Sequence, residues 1–339
     1  MDGIVLGRNF PGCKRSLQGV SASVPPCPLG VDVRYNLIGD VGGYYAARLL
    51  RKQLNLIYLN LMFNDIGPEG GELIAKALQK NTTLKYLRMT GNKIENKGGM
   101  FFAAMLQINS TLEKLDLGDC DLGMQSVIAF ATVLTQNQAI KGINLNRPIL
   151  YGEQVRTRRD GCQCNSVSIN EGAEIDVEEE STVHIGHMLK ENHCLVELHV
   201  CKHGIKNHGI QQLCEALHLN SSVRYLDVSW LSVVSNNIEG EGLVALARSM
   251  KTNPTFSNIY IWGNKFDEAT CVAYFDLIQM GHLELANTDV EPFVVDGRVY
   301  LAEVSNGLKK HYYWTPTYGE AYSQSPNAGF ALVPVGQHL

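Results

Sequence analysis

Five positions spaced 28 residues apart, Asn36, Asn64, Asn92, Cys120 and Pro148, fix a register that few folds can accommodate. Before each turn position come apolar residues at minus 8, minus 5 and minus 3, as Leu112, Leu115 and Leu117 precede Cys120. The last two alternate with polar residues, as a short strand with one buried face requires. After the turn, apolar residues fall at plus 10, plus 11 and plus 14, here Phe130, Ala131 and Leu134, which makes one stripe on a helix. Each unit therefore reads strand, turn, helix. One unit cannot bury both of its apolar faces, whereas stacked neighbours enclose a continuous core between a strand layer and a helix layer. With about six apolar side chains per unit at roughly 1.5 to 3 kcal/mol each, burial is on the order of 10 kcal/mol per repeat before chain entropy is subtracted. The turn asparagine is expected to be structural, its amide satisfying backbone groups in a buried bend. Cys120 should do this more weakly, and Pro148 not at all.

The pattern LxxLxLxxN(x)IGxxG followed by an amphipathic helix, as it stands from Leu56 onward, resembles the leucine-rich repeat superfamily. The 28-residue period is similar to that of the ribonuclease-inhibitor-like subclass. The resemblance implies an α/β solenoid, a horseshoe with parallel strands on its concave face and helices on its convex face, over residues 29–281. It implies little about function, because such horseshoes host inhibitors, GTPase activators and scaffolds alike.

Outside the repeats, residues 1–28 hold Pro11, Pro25, Pro26 and Pro28 without an apolar period and are expected to form a flexible leader. Register breaks twice. After Pro148 the helix carrying Ile185 and Leu189 arrives 27 residues late, so a polar insertion is expected at about 155–178. The next turn after His203 is due at residue 231 but comes five residues later, at Asn236. Around 229–235 the sequence reads either as a junction from which whole repeats are missing or as one bulged repeat. From 282 to 339 a tail follows, with a β-hairpin expected at 293–304 around Asp296-Gly297.

A net charge of −5 and 45% hydrophobic content describe an ordinary globular protein, with no field that calls for nucleic acid. No apolar run approaches the roughly 20 residues that span a bilayer. Nine cysteines without framework spacing fit a reducing compartment, cytosolic or nuclear with the nucleolus included. Seven of the ten histidines lie between His184 and His218, but the repeat frame scatters them, and no metal or other cofactor is expected. No phosphate-cradling GxxxxGK[ST], no G-x-S-x-G elbow and no isolated Cys-His pair supports catalysis.

The expected functional surface is the strand face, which should bind another protein, with the chain otherwise a monomer. Residues alternating with the buried leucines project there: Asn60, Arg88, Asp116, Asn144, His199 and Tyr260 at minus 4, Arg34, Met62 and Trp262 at minus 2. The mixture of charge, amide and aromatic groups resembles an interaction hot spot. The leading expectation is a non-catalytic scaffold or adaptor. The alternatives are a GTPase activator, for which Arg34 and Arg88 lie on the right face, or a component of a large ciliary or nucleolar assembly.

Overall fold

The computed structural model describes residues 29–149, 177–228 and 238–304. The leader, most of the insertion, the junction at 229–235 and the tail beyond Val304 lie outside the described residues. Eight strands, β1 (Leu29–Asp32), β2 (Leu56–Asn60), β3 (Tyr86–Arg88), β4 (Lys114–Asp116), β5 (Gly142–Asn144), β6 (Glu197–His199), β7 (Tyr225–Asp227) and β8 (Asn258–Tyr260), form one parallel sheet in chain order. Between them run α1 (Gly39–Lys52), α2 (Pro68–Leu78), α3 (Glu95–Leu106), α4 (Met124–Leu134), α5 (Val177–Glu191), α6 (Asn207–Leu219), α7 (Gly240–Thr252) and α8 (Glu268–Gln279), each packed on the next. This is the α/β solenoid that the 28-residue register implies. α5 begins at Val177, at the end of the span of about 155–178 read as an insertion.

The core is the apolar set of each repeat. Leu84, Leu87, Met89 and Ile94 on the strand side meet Phe102, Ala103 and Leu106 from α3, and all are buried. Helices approach closely where the side chain is absent. A Cβ on Gly43 would come within 2.6 Å of the Gly70 Cα, so α1 and α2 touch backbone to backbone.

Two asparagine ladders bind the repeats together. At the turn, Asn92 Nδ2 donates to the Leu61 carbonyl at 2.9 Å, while its Oδ1 accepts the Asn64 and Ile66 N–H groups at 3.2 and 3.0 Å. Cys120 fills the same slot with its thiol donating to the Met89 carbonyl at 3.2 Å and its sulfur accepting the Asn92 backbone N–H. His203 fills it with Nε2 at 2.9 Å from the Leu145 carbonyl, and burial drags its pKa down to about 4, so the ring is neutral. The second ladder follows the helices. Asn109 Nδ2 donates to the Leu78 and Asn81 carbonyls at 2.7 and 3.0 Å, and its Oδ1 accepts from Thr111 and Leu112 at 2.9 and 2.8 Å. Asn81, Asn137, Asn192, Asn220 and Asn253 repeat the pattern.

Neither register break disturbs the sheet. Ile143 pairs with Leu198 across the insertion, and Leu226 pairs with Ile259 across the junction. At the far end β9 (Val290–Val295) and β10 (Arg298–Glu303) form an antiparallel hairpin through Asp296 and Gly297, both at positive φ. Val290 and Leu301 are buried in the last stretch of core. The Asp289 carboxylate accepts the Ile261 and Trp262 N–H groups at 2.9 and 3.0 Å. Leu61, the counterpart of Ile261 in β2's repeat, gives its N–H to the next strand. Asp289 thus stands in for a ninth strand.

Candidate functional site

The ladder register places the predicted residues in two neighbouring columns on one face of the sheet: Val31↔Leu59, Leu59↔Leu87, Leu87↔Leu115, Leu115↔Ile143, Ile143↔Leu198, Leu198↔Leu226 and Leu226↔Ile259 alternate with them. Their exposure departs from the expectation. Asn60, Met62, Arg88, Asp116, Asn144, His199 and Tyr260 are buried, Arg88 to 2% and Tyr260 to 0%. Of the nine, Arg34 is exposed and Trp262 half-buried.

Adjacent parallel strands lie about 4.8 Å apart, so equivalent side chains touch and polar ones pair sideways. Asn60 Nδ2 donates to Asp32 at 3.2 Å, and its Oδ1 takes the Met62 N–H at 3.1 Å. Thr90 donates its hydroxyl to Asp116, whose other oxygen accepts from Gly118 at 3.2 Å, with Arg88 Nε at 4.0 Å. Burial lifts the Asp116 carboxyl to about 6 against the opposing pull of that guanidinium. His199 Nδ1 lies 3.3 Å from Asp227, and the rings of His199, Tyr225 and Tyr260 follow one another at 4.8 and 5.2 Å. Among the described residues, neighbours in the inner columns pair laterally.

The accessible row is one step along the chain, and the periodicity does not reveal it. The residue before each turn position is held left-handed: Tyr35, Phe63, Gly91, Asp119, Arg147, Lys202 and Gly263 all have φ between 52° and 86°. Where a side chain is present it is exposed or half-buried, at the rim where each strand turns toward its helix. Neighbours along this rim meet in pairs. Tyr35 stacks on Phe63 with centroids 4.9 Å apart, and Arg147 Nη1 reaches both Asp119 oxygens at 2.9 Å. Lys202 has its pKa lowered, by burial first and then by Arg147. Trp262, beside Gly263 in the neighbouring column, lies edge-on to Phe266 at 5.7 Å at the far end of the row. A non-glycine at positive φ is the signal for such a row, and it is visible only in the backbone.

Among the described residues no three His, Cys, Asp or Glu side chains converge as metal ligands would. His184 and His187 stand on α5, His199 on β6, and Cys214 inside the buried stripe of α6. Among the same residues no helix is long and apolar enough to cross a membrane.

A leucine-rich repeat family profile matches residues 52–75, 80–103, 109–131 and 231–247. The chain is 68% identical to human leucine-rich repeat-containing protein 34 over 360 aligned positions, covering 91% of this chain and 72% of that protein. It is 64% identical to the mouse protein of the same name over 366 positions, covering 93% and 82%. A solved structure, leiomodin-1 actin-binding site 2, aligns over 62% of this chain and 87% of its own at 15% identity and a TM-score of 0.31, too slight a likeness to bear on function.

Proposed function

Since the chain belongs to the leucine-rich repeat-containing protein 34 family, we propose that it works by gripping another protein along the rim of its sheet, as an adaptor or regulatory scaffold in the cytosol or nucleus. The observation that supports this reading is the rim itself. A left-handed residue at the same point of successive repeats offers Tyr35, Phe63, Asp119, Arg147 and Lys202, with Arg34 at one end and Trp262 at the other. Aromatic and arginine side chains of this kind are the usual anchors of protein interfaces. The buried columns behind the rim serve as its foundation. A GTPase activator that supplies an arginine draws less support, because Arg88 is buried and Arg34 pairs with Asp32 at 3.3 Å.

The test is affinity capture with cross-linking from cells that make the protein, using the full chain and a variant carrying Arg34→Ala, Phe63→Ala and Trp262→Ala. Loss of the captured protein by about 30-fold or more, the scale of a hot spot, with an unchanged thermal midpoint is expected. Undiminished capture would remove the rim from consideration.

A further inference from the structure

The second register break has two readings, one bulged repeat or a place where whole repeats are missing, and the alignments to relatives separate them. The human alignment occupies 360 positions but draws on 91% of 339 residues, about 308, so about 52 positions have no counterpart in this chain. The mouse alignment, 366 positions on 93% of the chain, leaves about 51. A bulge would leave no such deficit. The repeat register gives the size of the gap independently. A turn due at 231 arrives at Asn236, so loss of whole repeats removes a multiple of 28 residues less five: 23 for one repeat, 51 for two, 79 for three. Two repeats match both alignments.

We infer that two whole repeats carried by the relatives are absent from this chain between Val228 and Asn236, and that the solenoid closes over the loss into a shorter wall with a ring contact, Tyr225 on Tyr260, which the longer wall would split. On the side where helices run into strands the closure is as good as elsewhere. Ser257 and Asn258 donate to the Arg224 carbonyl at 3.1 and 2.9 Å, as Glu113 and Lys114 donate to Lys85 at 2.9 and 3.0 Å. Asn253 clamps the Leu217 and Asn220 carbonyls at 2.6 and 2.8 Å. Leu226, Val228, Ile238 and Ile259 are fully buried, so the core runs through the join. On the opposite side the fit is looser. The Val228 N–H reaches the Tyr260 carbonyl at 3.3 Å, against 2.8 Å for Leu61 to Arg88.

Two strands amount to about 10 Å of wall. Under the binding role proposed above, the rim residues up to Lys202 and the end bearing Trp262 stand that much closer together than in the relatives, and a partner meets a different spacing.

The closure can be tested without any partner. Hydrogen exchange on the full chain should find the Ser257 and Asn258 amides within about tenfold of Glu113 and Lys114 in protection, and thermal unfolding should carry β7 and β8 in one transition. A second chain, with the human relative's missing segment placed between Val228 and Asn236, should show the same protection with about 51 residues added. Amides at 257 and 258 that exchange 100-fold faster than their counterparts, or a last repeat that melts separately, would overturn the closure. A human sequence without two repeat units at that point would overturn the loss. Neither result depends on whether the rim binds anything.

Discussion

Replacing Asn109 by alanine should destabilise the solenoid more than any surface change of similar size. The side chain is 4% exposed and makes four hydrogen bonds, two to carbonyls of the preceding repeat and two from its own chain at Thr111 and Leu112. At a net contribution of about 0.5 to 1.5 kcal/mol per bond, the truncation removes roughly 2 to 6 kcal/mol. Part of this returns, because the Thr111 N–H is only partly buried and can find water, which points to a loss of about 3 kcal/mol. Urea unfolding of the full chain followed by circular dichroism reads it as a midpoint lowered by roughly 1 M. Asn36→Ala is the internal control. Asn36 is exposed and, among the described residues, its side chain bonds only to the nearby Val33 and Arg34 carbonyls, so its removal should cost well under about 1 kcal/mol. Asn109→Asp refines the reading. It keeps both acceptors but turns a carboxylate on the Leu78 and Asn81 carbonyls, so it should be at least as damaging as alanine at neutral pH. Burial raises the folded-state pKa of such a carboxyl, so stability should recover as pH falls and the group protonates. Equal losses for Asn109→Ala and Asn36→Ala, or a loss below about 1 kcal/mol at Asn109, would refute the idea that the ladder holds the repeats.

Two further outcomes follow from single positions. Cys120→Asn should stabilise the fold by about 1 to 2 kcal/mol in the same urea assay, since an amide there can accept the Asn92 and Ile94 N–H groups as Asn92 accepts those of Asn64 and Ile66. An unchanged or lower midpoint would show that the slot is shaped for sulfur. Asp289 is buried and its carboxyl is lifted to about 7, with burial the main cause and the two backbone N–H donors opposing it. A folded-state pKa above the unfolded value means the stabilisation is complete below about pH 4, where the unfolded group titrates, and is lost as pH rises to about 7. The thermal midpoint of the native chain should therefore fall relative to that of Asp289→Asn between pH 4.5 and 8, and parallel curves would contradict the assignment.

The layers of this fold were legible because each leucine position answers to one burial event, and a strict 28-residue spacing leaves little choice of partner. Alternation also identified which face Asn60, Arg88 and His199 occupy. It could not show their burial, because periodicity gives a side chain's direction and is blind to what packs against it. Thr90 beside Asp116 and His199 beside Asp227 are sideways partners 26 and 28 residues apart in the chain. The rim was hidden for a different reason. Left-handed backbone is ordinarily announced by glycine, and of the seven pre-turn positions only Gly91 and Gly263 carry it. Tyr35, Phe63, Asp119, Arg147 and Lys202 are held there by bonds to the next repeat, such as Phe63 N–H to the Thr90 carbonyl at 2.9 Å and Asp119 N–H to Asn146 at 3.0 Å.

Both irregularities fall on the same side of the solenoid, and the ladders explain why. From the helix-end asparagine to the start of the next strand the distance never changes: Asn81 to Tyr86, Asn109 to Lys114, Asn137 to Gly142, Asn192 to Glu197, Asn220 to Tyr225 and Asn253 to Asn258 are all five residues. From strand to helix it varies freely, eight residues from Asn60 to Pro68, 13 from Asp227 to Gly240 and 33 from Asn144 to Val177. Lengthening a connection from eight to 33 residues is two doublings, about 1.2 kcal/mol of closure entropy. Breaking one asparagine clamp costs more than twice that, about 3 kcal/mol by the reasoning for Asn109. Register in this solenoid is therefore set at the helix-to-strand edge, and the strand-to-helix edge, which carries the rim, is the one where length can change while every repeat keeps its place in the sheet.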